Sequence, residues 1–197
     1  MANADSAFGL KPIGHLMGID WNQNMRVYYV PDTDSTAIFK GDLVTHGGTA
    51  EDLGEYPTVK QTTAGDTTIV GVAWAFSNTP YIGADTSTLT RAYRPASTAM
   101  YVHVIVDPFV IYECQEDSDS DTLAITDIGQ TANVTVGSGS TTTGLSAMEI
   151  DTDDTGATGN LKILRLAKRD DGSNVLGANA IWEVMINEHY FKLDAGA

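Results

Sequence analysis

Residues Tyr101 to Gln115 read YVHVIVDPFVIYECQ and have the strongest β-strand signal in the chain. β-Branched and aromatic residues fill both alternating faces, a pattern typical of a strand that is covered on both sides. Asp107-Pro108 interrupts this pattern, and proline within a sheet is confined to edges, strand starts and bulges. The stretch therefore predicts one long bent strand, or two strands that meet at a corner, as in a β-barrel or an orthogonal sandwich.

Shorter β-signals surround this central stretch and are separated by turn residues. Strands are predicted at 26–30, 58–61, 69–76, 87–93, 133–136, 147–150, 161–167 and 181–187, with a helical turn at 121–127. Gly41-Asp42 predicts the tight turn of a hairpin whose second strand ends at Gly47-Gly48. Gly71, Ala73 and Ala75 share one face of their strand, which should lie under a close neighbour. No amphipathic helix of ordinary length is indicated, so the predicted fold is all-β, a compact β-barrel or orthogonal sandwich.

The predicted domain covers residues 26–197 and includes an acidic, loop-rich insert at 116–160. Residues 1–25 look different, because their apolar side chains follow neither a period of two nor one of 3.6. Such a segment is typical of an extended N-terminal arm that tethers a domain to another subunit, although packing across its own domain would give the same pattern. We expect the insert to be exterior and dispensable for the core, because acidic residues are costly to bury.

The charge distribution limits the choice of partners. The chain has 26 acidic and 11 basic residues, and no Lys or Arg lies between Arg94 and Lys162. Because a negative surface repels phosphate polymers and anionic membranes, we expect no nucleic acid and no membrane partner. The basic positions Lys162, Arg165, Lys168 and Arg169, with Lys11 and Arg26, are either a site for an acidic partner or a solvated strand face.

The sequence contains no recognisable set of catalytic or metal-binding residues. Asp117, Asp119 and Asp121 match the first three ligand positions of an EF-hand loop, but Thr122 and Ile128 stand where glycine and glutamate are required. The four histidines are widely spaced, and His103 is expected to be a hydrogen-bonded core residue. The single cysteine, Cys114, is expected to be a small buried hydrophobe. We expect no enzyme activity, no cofactor and no metal.

Several segments resemble capsid decoration, or cement, proteins of tailed bacteriophages. The similarity lies in FGLKPIGHLMG, GDLV, YVHVIVDPFVIYECQED, TDIGQTANV and GANAIWEVMINEH. The resemblance implies a β-rich structural protein of the virion that binds the major capsid protein on the exterior of an icosahedral head and stabilises the capsid, often as a homotrimer. The chain is longer than the small decoration proteins, because it carries the acidic insert.

The resemblance carries over no residue-level binding motif, but the irregular apolar spacing of residues 1–25 predicts that this segment is a capsid-binding arm. Its candidate contact residues are Phe8, Leu10, Lys11, Pro12, Ile13, His15, Leu16 and Arg26. The alternative hypothesis is a non-catalytic module that binds a ligand such as carbohydrate and uses Trp21, Trp74 or Trp182 as a stacking platform. Trp74 and Trp182 lie in apolar strands, which favours a place in the core.

Overall fold

The computed structural model describes residues 3–21, 24–80, 91–156 and 158–192. Its strands, in chain order, are β1 Lys11–His15, β2 Met25–Val30, β3 Ile38–Phe39, β4 Leu43–Ala50, β5 Pro57–Gln61, β6 Ile69–Ser77, β7 Tyr93–Arg94, β8 Met100–Ile105, β9 Val110–Gln115, β10 Thr131–Gly137, β11 Ala147–Gly156, β12 Leu161–Leu166 and β13 Ile181–Ile186. Within the described residues, the one helical element is a 3-10 turn at Ile125–Asp127. The predicted all-β fold is confirmed.

The strands form a barrel and a larger sheet. The closed barrel has the order β2-β5-β4-β6-β8, and the six-stranded sheet has the order β1-β9-β13-β12-β10-β11. The sheet is antiparallel, and its last strand curls back towards its second, since Glu116 just beyond β9 bridges Ile150 of β11. A two-stranded pair of β3 and β7 completes the fold. Strand β1 is therefore one edge of the sheet.

The chain changes from the barrel to the sheet at Asp107-Pro108. Strand β8 pairs with β2 and β6 in the barrel, whereas β9 pairs with β1 and β13 in the sheet. The Asp107 carboxylate accepts a hydrogen bond of 2.9 Å from the Phe109 amide, which holds the corner. The two strands that the proline break predicted are therefore present, and they belong to different layers.

Two apolar clusters match the two layers. One fills the barrel and includes Tyr28, Val44, Phe76 and Val102, all at most 4% exposed. The other lies between the sheet and the outside of the barrel, and joins barrel residues such as Leu43 to sheet residues such as Trp182. Successive residues of β6 and β8 point to opposite faces and pack into one cluster or the other, which explains why both faces of these strands are apolar.

Gly71 allows β6 and β8 to approach closely. A Cβ atom at this position would lie 1.9 Å from the carbonyl oxygen of Ile105, and φ is +155°. The prediction that the small residues of β6 lie under a close neighbour is therefore confirmed at Gly71.

Other local predictions need correction. The turn at Gly41-Asp42 is present, with an Asp42 amide to Phe39 carbonyl bond of 3.1 Å, but β3 pairs with β7 while β4 pairs with β5 and β6. The predicted hairpin is wrong, and β4 runs through Gly47-Gly48 rather than ending there. Of the strand predicted at 87–93, residues 87–90 lie outside the described residues.

The acidic insert is part of the core. Residues 116–160 contain β10 and β11, which form one side of the sheet. Ala132, Val134, Met148 and Ile150 from these strands are fully buried. The expectation that the insert is dispensable is wrong, because apolar side chains of both strands point inwards. In β11 they alternate with acidic side chains.

Candidate interaction surface

The N-terminal segment is bound to its own domain from Asn3 onwards. Gln115 links it to the sheet, accepting a bond of 2.8 Å from the Ser6 amide and donating one of 2.7 Å to the Ala4 carbonyl. The Leu10 amide then bonds the Gly41 carbonyl at 2.9 Å. Strand β1 follows and pairs with β9, from Lys11 opposite Glu113 to His15 opposite Val110. The alternative of packing across its own domain therefore describes residues 3–15 better than a free arm.

The eight predicted contact residues consequently have different environments. Leu10 is fully buried and Pro12 is buried, so the expectation that they contact a neighbouring subunit is corrected. Ile13 and Leu16 are 39% and 52% exposed and remain available. The rest are placed as follows: Phe8 is half-buried, Lys11 pairs with Glu113, His15 contacts Asp107, and Arg26 lies exposed on barrel strand β2, outside β1.

An exposed apolar tip lies where β1 ends. We define the apolar tip as Leu16, Met17 and Phe109, which are 52%, 75% and 45% exposed. The Leu16 amide bonds the Phe109 carbonyl at 2.9 Å, so the two segments lie side by side. Ile13 and Ile19, at 39% and 58% exposure, flank the tip in sequence. Clustered exposed apolar side chains of this size mark an interaction surface more often than scattered ones do.

A histidine and an aspartate hold the apolar tip in place. His15 Nδ1 accepts a bond of 3.1 Å from the Met17 amide, so its Nε2 carries the proton and faces Asp107 Oδ2 at 3.2 Å. The other oxygen of Asp107 holds the Phe109 amide, and the His15 and Phe109 rings meet edge to face at 6.1 Å. One carboxylate therefore connects both segments of the tip.

The basic cluster predicted for an acidic partner is largely paired within the protein. Glu113 of β9 and Glu183 of β13 are directly opposite each other on the outer face of the sheet. Arg169 Nη1 and Lys11 Nζ lie 2.7 and 3.7 Å from Glu113, and Arg165 Nε lies 2.7 Å from Glu183. These carboxylates raise the pKa of Arg169 and Arg165. The cations thus neutralise two carboxylates that are only 5% and 6% exposed.

Ser77 and His103 form a hydroxyl–imidazole contact of 2.8 Å, the kind of pair from which a nucleophile can be built. The Ser77 hydroxyl donates to the Thr79 carbonyl at 2.6 Å, so it accepts from His103 Nε2. Both side chains are fully buried in the barrel, and burial lowers the pKa of His103. The hydrogen bond thus runs from the imidazole to the hydroxyl, whereas activation of a serine nucleophile needs the opposite direction. His103 is the hydrogen-bonded core residue that the sequence predicts.

The aspartates of the insert serve as hydrogen-bond acceptors for nearby strands. Asp117 Oδ1 accepts from the Thr152 amide and hydroxyl at 3.2 and 2.9 Å, and Oδ2 accepts from the Thr135 hydroxyl at 2.6 Å. Among the described residues, no group of three or more His, Cys, Asp or Glu is arranged to hold a metal ion. Cys114 is fully buried, and burial raises the pKa of its thiol.

The tryptophans leave little room for stacking a sugar. Trp182 is fully buried and donates from Nε1 to Glu116 Oε2 at 2.9 Å. Trp74 is half-buried, Trp21 meets it edge to face at 5.8 Å, and Lys40 Nζ lies 4.0 Å from its ring centre. The Trp74 face on that side is therefore already covered.

Comparison of the chain with protein-family models, with curated proteins and with solved structures gives no match. Over the described ranges, no helix is long and apolar enough to cross a membrane.

Proposed function

We propose that this protein is a structural, non-enzymatic component of a bacteriophage virion. It attaches to the major capsid protein on the exterior of the icosahedral head and stabilises the capsid lattice, with its copies assembled as a homotrimer. The resemblance of its sequence segments to capsid decoration proteins suggests this function. The observation that carries the proposal is the apolar tip, a cluster of exposed large apolar side chains at the β1 edge of the sheet.

The tip is suited to binding because it is ordered before contact. The Asp107 carboxylate connects His15 and Phe109, so little backbone conformational entropy remains to be lost on attachment. Each large apolar side chain that becomes buried contributes about 1.5 to 3 kcal/mol. On a symmetric shell several copies of the protein bind together. A copy that detaches is held near its site by its neighbours, so it rebinds at a high effective concentration and the overall attachment is stronger.

The net charge of −15 agrees with an exterior position. A strongly acidic protein is repelled by packaged DNA, whereas its negative surface is tolerated outside the shell. The acidic side chains of the insert, among them the exposed Asp119 and Asp153, would then face solvent.

The test is attachment to heads stripped of the native protein. Deleting the N-terminal residues is unsuitable, because it would remove β1 and the buried Leu10. The double variant L16S/M17S keeps the backbone pairing and should bind heads at least about tenfold more weakly, since two partly exposed apolar side chains lose their contacts. The matched control is L53S/I125S, which removes two side chains that are 79% and 70% exposed elsewhere.

The control should bind as the wild type does. Equal binding by both variants would exclude the apolar tip as the contact, and no binding by the wild type would exclude the function itself. A measured mass in solution tests the homotrimer independently.

A further inference from the structure

A cationic cleft lies between the barrel and the sheet, beside the start of β1. Its volume is about 490 Å³, and its apolar walls include Phe8, Trp74 and Ile181. Three cations, Lys11, Lys40 and Arg169, also line it, and we use the name cationic cleft for the space that these six side chains enclose. Such a concentration of positive charge is unexpected in a chain with 11 basic and 26 acidic residues.

The charges of the cleft do not cancel. Glu113 is the one carboxylate among its lining residues, and it is shared by Arg169 at 2.7 Å and Lys11 at 3.7 Å. No carboxylate of the described residues lies within ion-pair distance of Lys40 Nζ, which sits 4.0 Å from the Trp74 ring centre. The Lys11 side chain is 60% exposed, so it too can reach a second anion. The cleft therefore has positive charge in excess next to an aromatic wall.

The cleft is also held rigidly. The backbone of Lys40 is fixed on both sides, with bonds of 2.9 Å from its amide to the Gly144 carbonyl and from the Ser146 amide to its carbonyl. Trp74 is braced by the edge of Trp21. Walls that the fold fixes before binding lower the ordering cost of capturing a ligand, and a partly enclosed apolar wall strengthens the attraction between the cations and an anion.

We propose that the cationic cleft binds an acidic peptide segment of the partner protein, with a carboxylate between Lys40 and Lys11 and an apolar side chain against Phe8 and Ile181. The identity of the partner as a capsid subunit rests on the proposed function. Carbohydrate fits less well, because Glu113 is the one carboxylate acceptor in the lining and is already paired. The charge complementarity is local, since the rest of the chain would repel an acidic partner.

The first test uses peptides and calorimetry at low salt. The probe is capped Glu-Glu-Phe-Glu-Glu, compared with its Gln-Gln-Phe-Gln-Gln and Glu-Glu-Ala-Glu-Glu analogues. The variant K40M keeps an unbranched stem over Trp74 and removes only the charge, while K60M makes the same change at an exposed site on β5. We expect K40M to weaken binding of the acidic probe by roughly tenfold and K60M by less than twofold.

Equal binding by K40M and K60M, or equal binding of the neutral peptide, overturns the proposal. If Glu-Glu-Ala-Glu-Glu binds as tightly as the phenylalanine peptide, the cleft has no apolar subsite, and the proposal that it holds an apolar side chain is overturned. A thymidine tetranucleotide that binds more tightly than the peptide would assign the cleft to phosphates instead.

The second test adds the same two variants to stripped heads. If the wild type and K60M attach and K40M attaches more weakly, the cleft contacts the capsid. If all three attach equally, this inference fails while the proposed function stands. If the wild type does not attach, the proposed function fails, and the peptide titration alone decides whether the cleft binds acidic segments.

Discussion

Glu113 and Glu183 face each other directly across β9 and β13, and both are almost entirely buried on the outer side of the sheet. Like charges in that position are destabilising unless they are compensated. Arg169 and Lys11 compensate one carboxylate, and Arg165 compensates the other. The arrangement ties three cations from two strands and one loop to the centre of the sheet.

The first prediction concerns Arg169. The variant R169M should lower the free energy of unfolding by about 1 to 3 kcal/mol, because it leaves Glu113 poorly compensated opposite Glu183. Urea unfolding measures this change. The double variant R169M/E113Q should recover most of the loss, since it also removes the buried charge. As a control, K168A breaks an ion pair whose partners are 84% and 89% exposed and should change nothing measurable.

The second prediction concerns Arg94, which is fully buried. Its guanidinium donates to the carbonyls of Thr98, Thr36, Pro31 and Asp34 at 2.6 to 2.9 Å. R94M should destabilise the protein by about 3 kcal/mol or more, because four acceptors lose their partners. R94K should fall between the wild type and R94M in thermal unfolding, since lysine has fewer donors and no planar fork. Unchanged stability of R94M would mean that water replaces the guanidinium.

The third prediction concerns Gly71. G71A should destabilise the barrel by more than 2 kcal/mol or prevent folding, because its Cβ would collide with backbone at Ile105. G156A is the matched control, since a Cβ there meets nothing within 4 Å and φ is not in the positive region. Near-ultraviolet circular dichroism and thermal unfolding compare the two. A G71A protein as stable as G156A would contradict the close approach of β6 and β8.

The fourth prediction is a pH dependence that originates at Asp42. Burial raises the pKa of this carboxyl from 3.8 to about 6, against hydrogen bonds from the Phe39 amide and other donors that lower it. The folded state therefore binds more protons than the unfolded state between these values, so Asp42 makes the protein less stable as pH rises from about 4 to about 6. Its full effect is about 3 kcal/mol. The variant D42N should lack it.

The difference between the wild type and D42N is the quantity to measure, by urea unfolding from pH 4 to 7. Burial lowers the pKa of His189 to about 4, so this histidine has the opposite effect and stabilises the fold as pH rises towards 6.5. Burial also raises the pKa of Glu149 to about 7, which acts in the same direction as Asp42. Both contributions cancel in the difference. A difference that is flat with pH would rule out Asp42 as the source.

Local features of the sequence are enough to predict most of the strands and the change from barrel to sheet. The alternation of apolar residues in the sequence predicts most strands to within one or two residues. Asp107-Pro108 marks where β8 ends and β9 begins. Cys114 and His103 were assigned to the core correctly. These predictions work because alternation and proline stereochemistry act within a few residues of the chain.

The interaction surface was predictable only in part. Of the contact residues that the sequence predicts, Ile13 and Leu16 are exposed but Leu10 is buried. The sequence does not predict the contributions of Met17 and Phe109. Phe109 follows a proline at a corner, which is the signal that could have placed it at a surface. The sequence marks Lys11 and Arg169 of the cationic cleft as possible contacts for an acidic partner. Lys40 and Trp74 carry no such signal, because only the fold brings them beside these cations.

Strand partners and charge partners were decided by the tertiary structure alone. The irregular apolar spacing of residues 11–15 does not predict β1, because this strand depends on pairing with β9. The acidic composition of the insert likewise does not predict that its strands contribute to the core. The sequence also gives no sign that Lys11 and Arg169 share Glu113, which the fold places beside both. The alternation of apolar and polar residues predicts which side of a strand is buried. The choice of neighbouring strand depends on contacts between distant segments, and these form only when the whole sheet assembles.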